Sequence, residues 1–385
     1  LEMQNKIKLI ITARDPASAN DIAQILPYFI NHDRFVVRVI AQEPAYSILL
    51  NGKTDSNNFV IDLIGSIDDT SHECIKNTLK EVFLIFQPDY LLTGISGPDY
   101  GIDEIALSIC SIYSGMKSFS IQSYWGDLNQ SCGVLADTVF VLDEFASKIT
   151  KQRHVGCKTV ITGSLKLDYY NNINIIKERS AFRLKYASEN DASIISLFGQ
   201  PLFEYEWYQT TLELFFEVAS KIIPHVRIIY KPHPKETNES VNWVSNKLRE
   251  STIEYFIARD IDTLSVLAGT DVAVSLFSTI GYDLQNLLVR SEIAFSVPMY
   301  LFFNEDCKRW YQKYCTFEKI PMAEYGMSIV VEHSEELQRE LQSTLSNVRK
   351  KQCHTAILSH FPCNGVGMGA PSIVSEMLIS IPNTS

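Results

Sequence analysis

The stretch from Ser193 to Tyr230 decides the fold, and it reads SIISLFGQPLFEYEWYQTTLELFFEVASKIIPHVRIIY. Ser193–Phe198 is a short apolar run, which is typical of a buried strand. Glu204–Ile222 then places apolar residues at helical spacing, and Arg227–Tyr230 is a second strand-like run. Because strands joined by a helical connection pair in parallel, this stretch predicts one β-α-β unit of a parallel sheet.

The same alternation of strands and helices extends outward on both sides. Before this unit, the predicted strands are Lys6–Thr12, Phe35–Ala41, Phe59–Leu63, Tyr90–Thr93, Ser118–Gln122, Thr138–Leu142 and Thr159–Thr162. After it, they are Ile253–Ile257, Val272–Ser275 and Glu292–Phe295. The predicted helices include Asn20–Ile30, with Pro27 as a kink or early stop, Ser278–Leu288, Ser334–Val348 and Pro371–Ile379. The pattern predicts an α/β protein with two Rossmann-like domains that face each other across a cleft.

The alternation breaks once, at Gly163–Asp168, and the polar segment Tyr170–Asn174 follows. We therefore expect an N-terminal, acceptor-side domain over residues 1–162 and a C-terminal, nucleotide-donor domain over residues 163–355. Residues 356–385 are expected to form a helical segment that packs back on the N-terminal domain.

Composition and charge exclude several classes of protein. The 385 residues are 46% hydrophobic and 21% charged, which excludes intrinsic disorder, and a net charge of −11 argues against a nucleic-acid partner. No apolar run reaches the roughly 18 residues of a membrane span, and no signal peptide opens the chain. The eight cysteines include no CxxC and no zinc-like spacing with histidine. We expect reduced thiols, a cytoplasmic protein and no bound metal.

The sharpest chemical signal directly follows the strand Arg227–Tyr230. There the chain reads Lys231-Pro232-His233-Pro234, and the two prolines hold the loop extended, which fixes where its lysine and imidazole point. Cationic and imidazole groups at the carboxyl end of a strand predict an anion site. A proline-rich turn with solvated lysines is the alternative.

A second signal lies where the buried strand Val272–Ser275 is followed by a helix. Ser278 or Thr279 is the predicted N-cap, and free N–H groups at that end would hold a phosphate together with the helix dipole. Asp283 follows about one turn later, where a carboxylate could bind ribose hydroxyls. Ordinary helix capping explains the same pattern.

A third signal follows the strand Ser193–Phe198. Gly199 permits close backbone approach beside Gln200, and Glu204 and Glu206 come at the start of the next predicted helix. These carboxylates are candidates for a general base, although a helix dipole alone also favours glutamate at this position.

The first half of the chain supplies candidates for the acceptor side. Arg14 and Asp15 follow the first strand, where Asp15 is a further candidate base. Asp99 lies in the glycine-rich, acidic segment Gly94–Glu104, and Trp125 could stack on a sugar ring. Helix capping or core packing is the alternative explanation for each of them.

Several other chemistries lack their motifs. The chain has no GxxxxGK phosphate loop, no GxSxG nucleophile elbow and no HExxH zinc site. The glycine-rich segment Gly365–Gly369 does not follow a predicted strand, so it is not a dinucleotide fingerprint. The sequence therefore favours catalysis without a tightly bound metal and without a cofactor.

Taken together, the loops of the second half resemble a known family. Lys231–Pro234 and the pattern Ser275-(x)2-Ser278-Thr279-(x)3-Asp283 are similar to those of nucleotide-sugar glycosyltransferases with the GT-B fold. The likeness is to bacterial sialyltransferases, polysialyltransferases and CDP-glycerol glycerophosphotransferases of capsule synthesis. Gly163–Asp168 also resembles the interdomain linker of Kdo transferases. The resemblance covers the second half well and the first half by architecture only.

The resemblance implies roles for particular residues. His233 would support the leaving phosphate, and Ser278 and Thr279 would hold the nucleotide phosphates. In the sialyltransferase-like members the base lies in an acidic-acidic-Gly motif, whereas this chain has Glu204-Tyr205-Glu206 without the glycine. The nucleotide-binding set implied is Gly199, Gln200, Lys231, His233, Pro234, Ser275, Ser278, Thr279 and Asp283.

The expected activity is transfer of a sugar from a nucleotide-activated donor to a glycan or glycolipid acceptor of a bacterial surface polysaccharide. A CMP-nonulosonate such as sialic acid is the favoured donor, and the reaction would be inverting and metal-independent. The alternatives are a UDP-sugar or CDP-glycerol transferase, a hydrolysing nucleotide-sugar epimerase and a non-catalytic binding subunit. The expectation is compatible with a peripheral contact at the inner face of the membrane and with a homo-oligomer.

Overall fold

Two parallel β-sheets, each in its own structural unit, organise the chain. A computed structural model describes residues 6–51, 59–63, 71–96, 101–168, 170, 173–187, 193–222, 226–315, 317–361 and 369–380. The first unit combines residues 1–171 with residues 362–385, and the second spans residues 172–361. The sequence pattern predicts these divisions after residues 162 and 355.

Seven parallel strands form the sheet of the first unit within the described residues. They are β1 (Ile7–Ala13), β2 (Phe35–Ala41), β3 (Phe59–Leu63), β4 (Tyr90–Thr93), β5 (Lys117–Ile121), β6 (Thr138–Val141) and β7 (Thr159–Ile161). Their order across the sheet is β3-β2-β1-β4-β5-β6-β7. The chain thus reverses its direction of travel between β1 and β4, which is where ligands bind in many open α/β sheets.

Helices connect these strands. They are α1 (Pro16–Ile30), α2 (Ala45–Asn51), α3 (His72–Phe86), α4 (Ile102–Cys110), α5 (Glu144–Arg153) and the short α6 (Leu165–Asp168). Side chains at the N-cap fix where two of them begin, because Ser71 accepts the N–H of Cys74 and Asp143 accepts that of Ala146.

The second unit contains a six-stranded parallel sheet over the described residues. Its strands are β8 (Ser193–Phe198), β9 (Val226–Lys231), β10 (Glu254–Ile257), β11 (Val272–Ser275), β12 (Val297–Leu301) and β13 (Ile329–Val331). The order is β10-β9-β8-β11-β12-β13, so β9 and β11 lie on either side of β8. Both units therefore have the Rossmann-like α/β architecture that the sequence predicts.

The helices of the second unit are α7 (Ile175–Tyr186), α8 (Glu206–Ile222), α9 (Asn238–Glu250), α10 (Thr263–Gly269), α11 (Ile280–Val289), α12 (Glu305–Cys315), α13 (Leu337–Thr344) and α14 (Asn347–His360). Two short 3-10 helices cover Pro321–Gly326 and Ser334–Glu336. The last helix of the chain, α15 (Gly369–Ile379), belongs to the first unit, where its apolar side chains enter the core beside β1 and α1.

The structure corrects several predicted elements. The predicted strand Glu292–Phe295 is wrong, because Ile293 is exposed and the buried strand β12 begins only at Val297. Pro298 does not disrupt β12, since pairing with β13 starts one residue later, at Met299. The predicted helix Ser334–Val348 is broken at Ser346, whose hydroxyl caps α14. In the first unit, α1 continues through Pro27 to Ile30.

Within the described residues, no helix is long and apolar enough to cross a membrane. The cysteines of this part of the chain are all free thiols.

Candidate functional site

Three loops of the second unit leave the sheet at its carboxyl edge from the neighbouring strands β9, β8 and β11. Strands in a sheet lie about 5 Å apart, so the first and last of these loops start about 10 Å from each other. The nucleotide-binding residues that the sequence predicts lie in these three loops, at the last residues of β9 and β11, and in the first turn of α11. Loops at the carboxyl ends of parallel strands are the usual place for a ligand in this architecture.

The loop after β9 is a tight turn with His233 at its first position. The carbonyl of His233 accepts the N–H of Glu236 at 2.9 Å, which closes a four-residue β-turn with Pro234 in second place. Proline is favoured there because its fixed φ suits the turn. Pro234 itself is exposed, and the structure gives its ring no other role.

The imidazole of His233 is held with one nitrogen occupied. Its Nδ1 accepts the backbone N–H of Lys235 at 3.1 Å, so the proton of the neutral ring is on Nε2. Burial, with help from the charge of Lys235, lowers the pKa of His233 below its ordinary 6.5. At neutral pH the ring is therefore uncharged, and Nε2 has no hydrogen-bond partner among the described residues.

A buried carboxylate beneath this turn was not identified from the sequence. Glu236 is 9% exposed, and its Oε2 accepts the backbone N–H of His233 at 2.6 Å. Burial raises its pKa, while hydrogen bonds from Tyr230, His233 and Ser240 oppose that shift. Only glycine fits at position 199, because a Cβ on Gly199 would overlap Oε2 of Glu236. The sequence did contain one signal: a glutamate three residues after His233 can reach back with its side chain to the backbone N–H of that histidine.

Lys231 does not lie as the sequence predicts for a phosphate ligand. Its Nζ donates to the backbone carbonyls of Ala258 and Arg259 at 3.0 Å and of Ile261 at 2.5 Å. An ammonium group has three donors, so all of them are used on the loop after β10. Burial lowers the pKa of Lys231, although Asp262 and Asp260 oppose the shift. Lys231 thus ties two loops together and has no donor left for a phosphate.

The loop after β8 is fixed to the loop after β11 by one side chain. Oε1 of Gln200 accepts the N–H groups of Leu276 at 3.1 Å and of Phe277 at 3.3 Å. Gln200 is itself buried, so it binds the loop after β11 from the interior of the unit. Its role in the structure is to shape the loop that leads into α11.

That loop places hydroxyl groups at the start of α11. Thr279 is the N-cap residue and makes no side-chain capping bond, whereas the Ser278 hydroxyl accepts the N–H of Ile280 at 3.3 Å. Both residues are partly exposed. A helix N-terminus, with hydroxyl side chains beside it and the positive end of the dipole, favours an anion. Ser275 lies deeper, and its buried Oγ has no hydrogen-bond partner among the described residues.

Asp283 stands in the first turn of α11 but is only 3% exposed. Gly281 brings this turn close to β12, since a Cβ there would overlap the hydroxyl of Tyr300. Contact between the Asp283 carboxylate and a ribose is therefore not available from the surface that the structure presents, and the residue packs inside the unit.

The candidate bases lie in different units. Glu204 and Glu206 are both exposed, with Glu204 in the turn before α8 and Glu206 as its first residue. Asp15 lies in the first unit, at the N-cap of α1, where it accepts a hydrogen bond from Nε of Arg14 at 2.8 Å.

The remaining residues predicted for the acceptor side are Trp125 and Asp99. Trp125 is 3% exposed, and its indole N–H donates to Asp143 at 3.0 Å. Stacking on a sugar needs an exposed ring face, so the structure places Trp125 in packing instead. Asp99 falls within residues 97–100, which lie outside the described residues.

A polar cluster in the first unit surrounds the carboxyl ends of β1 and β4. Asp103 is fully buried and accepts the hydroxyls of Thr12 at 2.6 Å and of Ser96 at 2.5 Å. Burial raises its pKa, and the two hydroxyl bonds oppose that shift. In the next position, Glu104 accepts the N–H groups of Gln130 and Ser131, each at 3.1 Å. No group of three or more metal-ligating side chains occurs in the described part of the chain.

Comparison with known protein families and with curated protein sequences finds no match. Solved structures do match over almost the whole chain. The Staphylococcus aureus MnaA–UDP complex gives a TM-score of 0.66 at 12% identity, with 98% of this chain and 99% of that one covered. The UDP-GlcNAc 2-epimerase of Neisseria meningitidis bound to UDP-GlcNAc gives 0.66 at 13%, covering 97% and 100%. A glycosyltransferase of Rickettsia africae gives 0.61 at 13%, covering 98% and 100%.

These likenesses confirm the predicted fold, which is the two-domain GT-B fold.

Proposed function

We propose that the chain is a UDP-sugar enzyme. It would bind the donor through the loops after β8, β9 and β11 and break the bond between the anomeric carbon and the diphosphate. The observation that most supports this is the neutral imidazole of His233. His233 lies on the loop after β9, and the hydroxyls at the start of α11 lie on the loop after β11; these two strands are the neighbours of β8 on either side.

The chemistry of bond cleavage fits those groups. When the bond to the anomeric carbon breaks, its electron pair goes to the phosphate oxygen, so negative charge grows on the diphosphate. A donor at Nε2 of His233 and the N-terminus of α11 would stabilise that charge more in the transition state than in the ground state. No proton need leave the imidazole for this role.

UDP replaces the CMP-linked donor that the sequence favoured. The solved structures that resemble this chain include complexes with UDP and with UDP-GlcNAc. Nothing in the comparisons supports a nonulosonate donor, and the missing glycine after Glu204-Tyr205-Glu206 agrees with that.

As the first reaction we propose hydrolysing 2-epimerisation: the C2 proton is lost and returned on the other face, and water supplies the new hydroxyl at the anomeric carbon, so that one water and UDP-GlcNAc give UDP and the free 2-epimer. The observation that favours it is that several of the matching structures are UDP-GlcNAc 2-epimerases, with TM-scores of 0.60 to 0.67.

Transfer to a glycan or glycolipid acceptor is the second candidate. The Lys231–Pro234 and Ser275–Asp283 patterns favour it, because they resemble those of surface-polysaccharide transferases. Glu204 or Glu206 would then be the general base for the acceptor hydroxyl, since these carboxylates lie in the same unit as His233.

The deciding experiment starts with a thermal-shift screen against UDP, CMP, CDP, GDP and dTDP. UDP is expected to give the largest stabilisation, because only a ligand that binds the folded state raises its melting temperature. The protein is then incubated with UDP-GlcNAc alone, and the products are followed by NMR.

Release of UDP with the 2-epimer of the sugar supports the first reaction. Release that requires an added glycan acceptor supports the second. If UDP neither binds nor is released, while CMP-N-acetylneuraminic acid is consumed, the proposal of a UDP-sugar enzyme is overturned.

A further inference from the structure

Glu236 makes more polar contacts than any role in simple packing requires. Its Oε1 accepts the hydroxyl of Tyr230 at 2.5 Å and that of Ser240 at 2.8 Å, and its Oε2 accepts the N–H of His233 at 2.6 Å. These donors come from β9, from α9 and from the turn between them. A carboxylate accepts bonds only, so each contact fixes one donor in place.

The contact with His233 is reciprocal. The N–H of Glu236 donates to the carbonyl of His233, while the carboxylate of Glu236 takes the N–H of the same residue. Both backbone polar groups of His233 are thereby fixed. The turn that results also brings the N–H of Lys235 to Nδ1 of the imidazole, which selects the tautomer.

The same carboxylate connects to the loop before α11 through a chain of polar contacts. Tyr230 donates to Glu236, and the hydroxyls of Tyr230 and Tyr208 are close enough to influence each other's pKa. The Tyr208 hydroxyl in turn accepts the N–H of Gln200 at 3.0 Å. The Gln200 side chain holds Leu276 and Phe277, so one connected network runs from His233 to the residue before Ser278.

Burial decides what kind of role this network can have. Tyr208 and Tyr230 are almost fully buried, and Glu236 is nearly so. A connected and satisfied buried network is rigid, because moving one member leaves another unpaired in a medium of low dielectric.

We propose that Glu236 is a positioning residue, which holds the His233 turn in the form that keeps the imidazole proton on Nε2. Through Tyr230, Tyr208 and Gln200, it also fixes that turn relative to the loop before α11. This inference rests on the proposed function of His233 and extends it to a residue that touches neither donor nor acceptor. It assigns a purpose to the glutamate of the segment Lys231-Pro232-His233-Pro234-Lys235-Glu236.

The test compares Glu236→Gln with Glu239→Gln, an exposed glutamate in the first turn of α9. An amide in place of the carboxylate keeps the size of the side chain but turns one acceptor into a donor. The N–H of His233 or the hydroxyl of Tyr230 must then lose its acceptor. Side-chain ¹⁵N chemical shifts of His233, followed against pH, report the tautomer and the pKa directly.

In Glu236→Gln we expect the imidazole to become a mixture of tautomers, with Nδ1 partly protonated. The kcat for UDP release from UDP-GlcNAc should fall about ten- to a hundredfold, as when the hydrogen-bond partner that orients a functional imidazole is removed. The KM should change much less. Glu239→Gln should match the wild type in every measurement.

A milder variant keeps the test decisive where Glu236→Gln does not fold. Tyr230→Phe removes one hydroxyl donor and preserves the ring, and it should move the ¹⁵N shifts in the same direction by a smaller amount. If a folded variant of either kind shows wild-type ¹⁵N shifts and wild-type kcat, the positioning role is overturned.

The outcome is separate from that of the proposed function. A change of tautomer in Glu236→Gln supports the positioning role whether or not UDP-GlcNAc is the substrate. Loss of the proposed function would appear instead as a His233→Ala variant with unchanged UDP binding and unchanged turnover.

Discussion

At the scale of single residues, His233 and Lys231 show how two neighbours in one motif take different roles. Lys231 ends β9 and His233 lies two residues further on, and both were predicted to face an anion. The structure leaves Nε2 of His233 without a partner in the described residues, whereas it uses every donor of Lys231 on backbone carbonyls. The sequence shows that a cationic motif follows a strand, but it does not show the loop after β10 that Lys231 bonds.

The first prediction concerns His233. His233→Ala removes a preorganised donor from the diphosphate, so kcat for UDP release from UDP-GlcNAc should fall about 10²–10³-fold. The affinity for UDP should fall far less, because the charge on the phosphate grows mainly in the transition state. Steady-state kinetics and calorimetry measure the two effects. His333→Ala, an exposed histidine of the same unit, serves as the control.

The second prediction separates Lys231 from phosphate binding. Lys231→Met leaves three carbonyls without their donor, and at about 1 kcal/mol of net stability for each bond the free energy of unfolding should fall by roughly 3 kcal/mol. Affinity for UDP should remain at the wild-type level. Urea denaturation and calorimetry check both parts, with the exposed Lys235→Met as a stability control. A large loss of UDP affinity with unchanged stability would restore Lys231 as a phosphate ligand.

At the scale of elements, the sequence predicts a strand well where the run is apolar and bounded by turn residues. Phe35–Ala41, Phe59–Leu63, Tyr90–Thr93, Ser193–Phe198 and Val272–Ser275 have the predicted bounds. Prediction from the sequence failed where an element buries few of its side chains. The helix α7 was missed because Ile175 and Phe182 are its only buried residues, seven positions apart, which leaves little periodicity to detect.

Contacts that join distant elements are equally invisible in the sequence, and Asp271 is an example. It lies just before β11, where its carboxylate bonds Arg179, Arg183 and Lys350 at 2.7–2.8 Å. It also accepts the N–H of Ile194 at the start of β8. One carboxylate thus joins α7, α14 and two strands at the amino edge of the sheet, away from the candidate site.

The third prediction concerns this ion cluster. Burial alone would raise the pKa of Asp271, but Lys350, Arg179 and Arg183 outweigh it and lower the pKa from 3.8 to about 2. Because the folded pKa is the lower one, the carboxylate contributes stability that is complete above pH 3.8 and is lost as pH falls towards 2. That contribution is roughly 2 kcal/mol.

Asp271→Asn should cost about 3–5 kcal/mol at pH 7, because it leaves three cations without a buried counter-charge. Asp306→Asn breaks the exposed pair with Arg309 and should cost less than about 1 kcal/mol. Urea denaturation at pH 7 gives both values. Melting curves should be recorded from pH 7 down to pH 3. The difference in stability between the wild type and Asp271→Asn should become smaller at the acid end, and a difference that stays constant with pH would contradict the lowered pKa of Asp271.

At the scale of the whole molecule, the chain builds two units from interleaved segments. The last helix, α15, belongs to the first unit although the entire second unit precedes it in the chain. Ala370, Ile373, Val374 and Met377 are part of the core around β1 and α1, and the N–H of Ala370 donates to Asp168. The sequence signal for this helix is a short apolar pattern that does not say which sheet it covers.

The fourth prediction follows from this interleaving. Ile373 is fully buried in the core of the first unit, so Ile373→Ala should cost roughly 2–5 kcal/mol of that unit's stability through lost burial and a residual cavity. Ile379 is 75% exposed at the end of the same helix, and Ile379→Ala should change stability by less than about 0.5 kcal/mol.

Hydrogen exchange, measured for each peptide of the chain, shows which elements lose protection. In Ile373→Ala, exchange should accelerate in β1, β2 and α1, whereas the strands β8, β9 and β11 should keep their wild-type protection because α15 belongs to the first unit. UDP should do the opposite and slow exchange in the loops after β9 and β11 without affecting β1. If Ile373→Ala accelerated exchange in β8 and β9 as much as in β1, the helix would stabilise the chain as a whole, and the division of its stability into two units would be wrong.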